Sequence, residues 1–301
     1  MKRRPWTRTG AWWAWAAVLP LWGQGPLATG YVAAASAAAL PQGAAPPTSR
    51  AEGTPQKTGR TQAMPRGAPG PQPEEGDRMK KPLRIVALGD SITNGTGLAG
   101  TTEAETFRAL VERELAKKLQ RPVEVINAGV NGDIVTQALR RLERDVLSKN
   151  PDLVTVMFGG NEAGFYRPET RGFADTPRVG REAFSAALAE IVQRIRAAGS
   201  RVVLMTCPPM TERYWGMHLE PYQKHGINFL VKDYAQAMRD VARAANVELI
   251  DVYRAVEANP AAKDYFPDGL HPDPRGHRLI ADLLIEQLPG ILQRVGGGKK
   301  K

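Results

Sequence analysis

Cysteine is almost absent from this chain of 301 residues, in which Cys207 is the only one. A single cysteine excludes an intrachain disulfide and argues against a cysteine-based metal site. We therefore expect no metal, and no motif in the sequence implies an organic cofactor. A body of about 200 residues folds without such links because its hydrophobic core is large enough.

An excess of charge is also lacking in the central part of the chain. Residues 1–40 have four basic and no acidic side chains, residues 41–82 have seven basic and four acidic ones, and residues 299–301 are all lysine. These segments carry the whole net charge of +10, since residues 83–298 have 27 basic and 27 acidic side chains. A neutral body argues against a surface that follows phosphates, so we expect no nucleic-acid partner.

The N-terminal segment has no apolar run long enough for a comfortable membrane span. Lys2 and three arginines precede an apolar stretch over residues 11–22, and small residues follow at 33–39. Such a pattern is typical of a secretory signal. We predict that residues 1–40 are a signal peptide or an N-terminal anchor and that the protein is exported, either periplasmic or secreted. An uncleaved leader would tether the protein to a membrane, and a misassigned start codon is the remaining alternative.

Large apolar side chains are scarce in residues 41–82, which are rich in proline and glycine. Such a segment buries too little surface to offset the entropy that is lost on ordering. We predict a disordered linker here, followed by one folded domain over residues 83–298.

The predicted domain alternates short apolar runs with longer amphipathic stretches. Runs that are apolar throughout fit strands buried on both faces of a parallel sheet. The predicted strands are 83–88, 123–126, 153–158, 202–205 and 247–252, and the predicted helices are 103–119, 134–147, 181–198, 229–245 and 274–295. Asp273 and Pro274 form a typical N-cap and first-turn pair for the last helix. Five strand-helix units predict a single doubly wound α/β domain of three layers, with a five-stranded parallel sheet.

Four short motifs follow the predicted strands. Ser91 follows the first strand in Gly-Asp-Ser-Ile, Gly129 follows the second in Asn-Ala-Gly, and Asn161 follows the third in Gly-Gly-Asn-Glu. Asp268 and His271 lie between the fifth strand and the last helix, in Asp-Gly-Leu-His. Ligands of open α/β sheets bind outside the carboxyl ends of the strands. We therefore expect all four motifs at one edge of the sheet.

These residue types are the parts of a serine hydrolase site. A serine hydroxyl attacks a carbonyl when a histidine takes its proton, a carboxylate orients the histidine and N–H donors stabilise the oxyanion. Taken singly, Ser91 fits a turn or a helix N-cap, and Asp268 with His271 fits a surface turn with an exposed histidine. The sequence around Ser91 lacks the motif G-x-S-x-G, which excludes the nucleophile elbow of the α/β-hydrolases.

The four motifs resemble those of the SGNH hydrolases, the GDSL esterase/lipase superfamily, over about residues 83–295. The resemblance implies a flavodoxin-like fold and a catalytic triad of Ser91, Asp268 and His271. It also implies an oxyanion hole formed by the N–H groups of Ser91 and Gly129 and by the side-chain amide of Asn161.

Two positions depart from the pattern of that family. Ile92 stands where the name-giving motif has leucine, and Glu162 stands where aspartate usually follows the asparagine. Neither departure removes a catalytic group, although the longer side chain of Glu162 is able to alter a supporting hydrogen bond.

Other residues are candidates for supporting roles. Asp133 is most simply the N-cap of the second helix, and His277 is expected on the surface of the last helix. The aromatic stretch 208–227 is long for a strand-to-helix connection, so it forms either a wall over the substrate or a loop packed on the domain. The candidate substrate contacts are Phe165, Tyr214 and Trp215, with Tyr166 beside Phe165.

Together these features predict an exported serine esterase whose substrate is a small-molecule or polysaccharide ester. Export favours short acyl groups, such as O-acetyl esters of carbohydrates. A lysophospholipase, lipase or thioesterase of the same family is the alternative within this class. A non-catalytic carbohydrate-binding domain, or an anion-binding loop at residues 90–95, is the alternative from another class.

Overall fold

The computed structural model describes residues 81–294. The predicted leader, nearly all of the predicted linker and residues 295–301 lie outside the described residues. The strands are β1 (Leu83–Gly89), β2 (Val123–Gly129), β3 (Leu153–Phe158), β4 (Tyr166–Arg167), β5 (Gly172–Phe173), β6 (Arg201–Thr206) and β7 (Glu248–Ile250). The α-helices are α1 (Ser91–Asn94), α2 (Phe107–Leu119), α3 (Val135–Asp145), α4 (Gly160–Ala163), α5 (Arg181–Ala197), α6 (Glu220–His225), α7 (Phe229–Ala245), α8 (Val252–Glu257) and α9 (Pro274–Gln293). Short 3-10 helices span Glu103–Glu105, Leu147–Lys149, Trp215–His218 and Pro260–Tyr265.

Five parallel strands form the central sheet, in the order β2-β1-β3-β6-β7. Gly89 at the end of β1 pairs with Gly129 of β2 and with Met157 of β3, so these three strands end nearly level. This strand order places the switch point of the doubly wound fold between β1 and β3, where such sheets bind their ligands. The predicted fold class is confirmed.

Each face of the sheet is covered by its own helices, because the side chains of a strand point alternately to opposite faces. Along β1, Val86 and Leu88 pack into a core with α3, α5 and α7, whereas Ile85 packs into a second core with α2 and α9. Burying a side chain such as Leu88 contributes about 1.5–3 kcal/mol. The two cores hold the sheet rigidly between them, and the carboxyl ends of the strands are therefore fixed positions.

The helix and strand boundaries agree with the sequence prediction at some ends and differ at others. Asp273 caps α9 as predicted, since its side chain accepts hydrogen bonds from the N–H groups of Arg275 and Gly276. The assignment of Asp133 as a cap is wrong: Ile134 occupies the cap position of α3, and Asp133 pairs with Arg141 instead.

The fifth strand is shorter than predicted and spans only Glu248–Ile250. Asp251 ends it by capping α8, in which Val252 is already helical. Elements as short as α1, α4 and the β4–β5 hairpin are too brief to show a hydrophobic period, so the sequence pattern does not reveal them. None of the helices between residues 81 and 294 is long and apolar enough to span a membrane.

Candidate active site

The turn after β1 places Ser91 at the carboxyl edge of the sheet. Asp90 caps α1, and its Oδ1 accepts a hydrogen bond of 2.9 Å from the Ile92 N–H. A Cβ atom on Gly89 would lie 2.8 Å from the carbonyl oxygen of Met157, so glycine is needed for α1 to pack closely on the sheet. Ser91 is the first residue of α1, and its N–H therefore has no acceptor within the helix.

Asp268 and His271 share one tight turn between Pro267 and Pro272. Asp268 Oδ1 accepts hydrogen bonds from the N–H groups of Leu270 at 2.9 Å and His271 at 2.7 Å, and Oδ2 lies 2.7 Å from His271 Nδ1. Burial alone would raise the pKa of Asp268, but these hydrogen bonds outweigh burial and lower the pKa to about 2. The carboxylate is therefore ionised at neutral pH and holds the Nδ1 proton of the imidazole.

The other ring nitrogen of His271 faces the serine. Nε2 lies 3.0 Å from Ser91 Oγ, although the two residues are 180 positions apart. This distance is within the range in which a base takes the proton of a nucleophile. The structure thus brings Ser91, His271 and Asp268 into one line of hydroxyl, imidazole and carboxylate.

Gly129 has a structural role that differs from the one implied by the family resemblance. Its N–H donates a hydrogen bond of 2.8 Å to Asn127 Oδ1, and it does not line the cavity in front of Ser91. A Cβ atom at this position would lie 2.8 Å from the carbonyl oxygen of Asp90. Gly129 therefore allows β2 to pack against α1, and assigning it to the oxyanion hole is wrong.

Gly132 occupies the place beside Ser91 that was expected for Gly129. It lines the cavity together with Ser91 and Asn161. Its backbone has a φ of +74°, which glycine adopts without strain. Within residues 81–294 its N–H has no hydrogen-bond acceptor, so this donor is free for a substrate oxygen.

Asn161 presents its side-chain amide to the same cavity. Nδ2 donates hydrogen bonds to the carbonyl oxygen of Asp133 at 3.0 Å and to Asp90 Oδ2 at 3.3 Å. A primary amide has two N–H donors, so these two bonds occupy both of them and fix the plane of the amide; the bond to Asp90 is the longer one.

Two carboxyl groups are buried beneath this amide. Glu162 Oε1 accepts a hydrogen bond of 2.6 Å from the Val135 N–H, and Oε2 accepts one of 2.8 Å from the Gly159 N–H. Glu162 thereby ties the turn after β3 to the first turn of α3. Burial raises the pKa of Glu162 to about 7 and that of Asp90 to about 6.

Two arginines hold the loop that contains Gly132. Arg141 donates to the carbonyl oxygen of Ala128 at 2.9 Å, and its guanidinium lies 2.6 Å from Asp133 Oδ2. Arg178 donates to the carbonyl oxygen of Gly132 at 2.9 Å and lines the cavity. The loop is thus fixed from both sides before a substrate arrives.

The cavity in front of Ser91 has a volume of about 260 Å³. Its walls come from five loops, and its lining residues are Ser91, Leu98, Asn131, Gly132, Gly160, Asn161, Gly164, Tyr166, Pro168, Arg178, Met210, Tyr214, Trp215, Leu270 and His271. Within the described part of the chain, no group of three His, Cys, Asp or Glu side chains is arranged to hold a metal ion.

The candidate substrate contacts divide between the cavity and the core. Tyr214 and Trp215 line the cavity as expected. Phe165 does not, because it is buried and packs against Tyr222 and Phe229 in the core. Its neighbour Tyr166 lines the cavity instead.

His277 is completely buried, so its predicted surface position is wrong. Its Nδ1 accepts a hydrogen bond from the Phe107 N–H at 3.2 Å. Burial and the charge of Arg108 lower the pKa of His277 to about 4, so it is neutral at pH 7. Arg108, itself buried, donates to the carbonyl oxygens of Thr93 and Asn94 at 2.7 Å each and thereby secures the far end of α1.

Sequence reasoning missed Gly132 and Arg178. Gly132 has a signal, since it is the second glycine of Asn-Ala-Gly-Val-Asn-Gly and directly precedes the loop's aspartate. Arg178 has none, because its bond to Gly132 joins residues 46 positions apart and nothing around it marks a motif.

Comparison with known proteins identifies the family of the chain. Residues 87–279 match the model of the GDSL-like lipase/acylhydrolase family. The uncharacterized lipoprotein YqeF of Bacillus subtilis is 27% identical over 70% of this chain and 90% of its own length. The human isoamyl acetate-hydrolyzing esterase 1 homolog is 26% identical over 65% of this chain and 77% of its own. An acetylxylan esterase of Geobacillus stearothermophilus is 23% identical over 68% and 93%.

A solved structure of a lipase/acylhydrolase from Enterococcus faecalis has the same fold. It aligns with a TM-score of 0.57 and 28% identity over 69% of this chain and 96% of that one. The family match covers the nucleophile turn, the glycine loop and the Asp268–His271 turn. The chain therefore belongs to the GDSL-like lipase/acylhydrolase family, the SGNH hydrolases, and is a carboxylic ester hydrolase.

Proposed function

We propose that the protein is an exported serine esterase that releases short acyl groups, such as O-acetyl groups, from carbohydrate esters. Ser91 is the proposed nucleophile, His271 the base and Asp268 the residue that orients the base. The observation that carries this proposal is the geometry of His271, which lies 3.0 Å from Ser91 Oγ through Nε2 and 2.7 Å from Asp268 Oδ2 through Nδ1.

The reaction proceeds in two steps. His271 Nε2 takes the proton of the Ser91 hydroxyl while Oγ attacks the ester carbonyl, and a tetrahedral intermediate forms. As this intermediate collapses, the imidazolium gives its proton to the departing alcohol and leaves an acyl group on Ser91. Water then attacks the acyl group with His271 as base, and the acid is released as the serine regains its proton.

The oxyanion of each tetrahedral intermediate needs fixed donors. We propose the N–H groups of Ser91 and Gly132 and the side-chain amide of Asn161 for this role, the amide exchanging its longer bond, to Asp90, for the oxyanion. Losing one such donor typically costs about 10²–10³ in turnover. Asp268 contributes by remaining ionised beside the imidazolium, in keeping with its lowered pKa.

The preference for a short acyl group rests on the size of the cavity. A volume of about 260 Å³ is small beside the 300–1,000 Å³ of typical ligand pockets. Two relatives are named for acetate esters, one for isoamyl acetate and one for acetylxylan. A long acyl chain would need an apolar groove that continues beyond this cavity.

Export of the protein is proposed from its N-terminal sequence. Residues 1–40 have the order of charge, apolar run and small residues that secretory signals share. One relative is named a lipoprotein. N-terminal sequencing of the protein recovered from cell fractions would test this part, and an intact Met1 in the cytoplasmic fraction would contradict it.

A panel of esters tests the reaction and its acyl preference. Wild type and Ser91→Ala are assayed with p-nitrophenyl acetate, butyrate and palmitate and with acetylated glycans. We expect acetate to be preferred and Ser91→Ala to lose at least about 10³-fold in kcat, since the hydroxyl is the attacking group. Ser148→Ala is the matched control, because Ser148 is exposed and its hydroxyl only bonds the Arg144 carbonyl.

Two outcomes of this panel would contradict the proposal. Acetate release that persists in Ser91→Ala would exclude the serine mechanism. A preference for palmitate would exclude the short acyl group and favour a lipase or lysophospholipase. A fluorophosphonate probe that fails to label Ser91 in the folded protein would favour a non-catalytic binding domain.

A further inference from the structure

Trp215 is the most exposed large apolar side chain of the described residues, at 56% of its surface. It lies at the mouth of the cavity that contains Ser91 and His271. Tryptophan is rarely left in water without a partner, and an exposed aromatic ring beside a reactive group indicates a binding surface.

The ring of Trp215 is held by neighbours from two segments of the chain. Phe173 and Tyr166 of the β4–β5 hairpin contact it with ring centroids 4.7 Å and 5.1 Å away, and Tyr214 contacts it at 5.7 Å. We call the rings of Trp215, Tyr166 and Phe173 the indole platform. These contacts hold the indole in place while leaving more than half of it open, so a ligand loses little free energy in ordering it.

The hairpin that supports the indole platform is itself fastened at its base. Arg167 donates hydrogen bonds to the carbonyl oxygens of Phe165 at 3.2 Å, Thr176 at 2.6 Å and Pro177 at 3.1 Å. The backbone entering the hairpin is thereby tied to the backbone leaving it. The platform is a preformed surface rather than a loose loop.

A polar group with spare donors lines the same cavity. The Arg178 side chain is only 7% exposed, and its Nη1 donates to the Gly132 carbonyl. Its Nη2 lies 4.0 Å from Glu169 Oε1, which is beyond hydrogen-bond distance. A buried guanidinium is stabilised by further acceptors, so its remaining N–H groups favour an oxygen-rich ligand.

We propose that the indole platform and Arg178 bind the alcohol half of the ester as a pyranose ring, an inference that rests on the proposed esterase function. A pyranose has an apolar C–H face that stacks on an aromatic ring and a rim of oxygens that accepts hydrogen bonds. A fatty alcohol has the apolar surface but no acceptors for Arg178. The stacked sugar lies at the mouth of the cavity, and the small acyl group lies inside it, next to Ser91.

The test compares two acetate esters that differ only in their alcohol. Acetylated xylobiose carries a pyranose, whereas propyl acetate does not, and both release acetate. We expect Trp215→Ala to raise KM for acetylated xylobiose about tenfold, which corresponds to the upper range for an aromatic contact. A much smaller rise of KM is expected for propyl acetate, because its alkyl chain covers little of the ring and has no acceptors for Arg178.

Two further variants serve as controls. Trp215→Phe keeps a smaller ring and is expected to give a KM for the sugar ester between those of wild type and Trp215→Ala. His225→Ala removes an exposed ring from the same segment, which contacts Phe229 and does not line the cavity. It is expected to leave both esters unaffected. If Trp215→Ala does not fold, as judged by circular dichroism, Trp215→Phe decides the outcome, since its KM is expected to rise more for the sugar ester than for propyl acetate.

Two results would overturn the inference. One is an unchanged KM for acetylated xylobiose in the tryptophan variants, and the other is an equal rise of KM for both esters. Failure of the esterase proposal looks different, since wild type would then hydrolyse neither ester. In that case the affinity of the Ser91→Ala protein for acetylated xylobiose is measured by calorimetry, with and without Trp215→Phe. A weaker affinity with Trp215→Phe supports binding at the indole platform, and an equal affinity refutes it.

Discussion

Gly129 and Gly132 are three positions apart, and the two glycines serve different needs. A Cβ atom at Gly129 would lie 2.4 Å from the Asn94 nitrogen, whereas a Cβ atom at Gly132 would meet nothing within 4 Å. Position 129 requires glycine because a Cβ atom would clash with neighbouring backbone. Position 132 favours glycine because its backbone has a φ of +74°.

We expect Gly129→Ala to destabilise the protein more than Gly132→Ala does. Gly129→Ala pushes the backbone of β2 away from that of α1 and should lower the free energy of unfolding by about 3 kcal/mol or more. Gly132→Ala strains one backbone angle and should lower it by about 1 kcal/mol. Urea unfolding of both variants measures the difference. Equal losses would contradict the roles assigned to the two glycines.

His277 makes stability depend on pH. Its pKa is about 4 in the folded protein, against an ordinary value of 6.5. As the pH falls from about 6.5 to about 4, the unfolded chain binds a proton that the folded protein refuses, so folding stability is lost. The difference is at most about 3 kcal/mol.

The variant His277→Gln isolates this effect. Asp90 and Glu162 have raised pKa values, so their contribution is present at low pH and is lost as the pH rises towards about 6 to 7. They act in both proteins, and the difference between wild type and His277→Gln therefore reports His277 alone. Urea unfolding at pH 7 and pH 5 should show the wild type losing more stability on acidification, and parallel curves would refute the assignment.

At the scale of single elements, the four-residue helix α1 depends on its neighbours. Four residues cannot hold α1 as an independent helix, since nucleation alone is unfavourable. Asp90 secures its first turn, and Arg108 secures its last two carbonyl groups. The position of Ser91 thus depends on α2, from which Arg108 projects.

Arg108→Met should reduce stability and activity together. It leaves the buried carbonyl group of Thr93 without a donor, which costs about 1–3 kcal/mol, removes one of the donors to the Asn94 carbonyl, and frees α1 to shift Ser91 away from His271. Arg113→Met on the same helix is the control, because Arg113 is half exposed and its ion pair is worth less than about 1 kcal/mol. Unfolding curves and kcat for p-nitrophenyl acetate measure both effects, and a fully active Arg108→Met would contradict this role.

The sequence predicts the long elements well and the short ones poorly, for a physical reason. A strand such as β3 or a helix such as α7 shows its hydrophobic pattern over many residues, and Phe229–Ala245 matches the predicted helix at both ends. The β4–β5 hairpin has two residues in each strand, and tertiary contacts hold it, from Trp215 on its rings and from Arg167 at its base. His277 looks like a surface residue until the packing of α9 against α2 buries it.

At the scale of the whole molecule, strand order explains why Ser91, Asn161, Asp268 and His271 could be grouped from the sequence. Each follows a strand of a parallel sheet, and the carboxyl ends of such strands share one edge. Gly132 could not be chosen over Gly129 in this way, because both lie in the same loop. Their roles depend on which N–H group is hydrogen-bonded within the protein, and the three-dimensional structure is needed to show that.

The described residues contain every group assigned to the reaction. We expect a chain that starts at residue 81 to keep the kcat and KM of the full-length protein for p-nitrophenyl acetate. Steady-state kinetics on both chains check this, with thermal unfolding as the control for folding. A large rise in KM on truncation would show that the N-terminal 80 residues contribute to the site, contrary to the predicted domain division.

The turn of Asp268 and His271 has a consequence for how activity is lost. Acid and base are fastened to each other within four residues, so they move as one piece. The contact from His271 to Ser91, in contrast, joins the last part of the fold to the first strand. Esterase activity therefore reports whether the C-terminal part of the fold is packed against the end of β1. If α9 and the turn before it separate from β1, catalysis stops although the sheet remains folded.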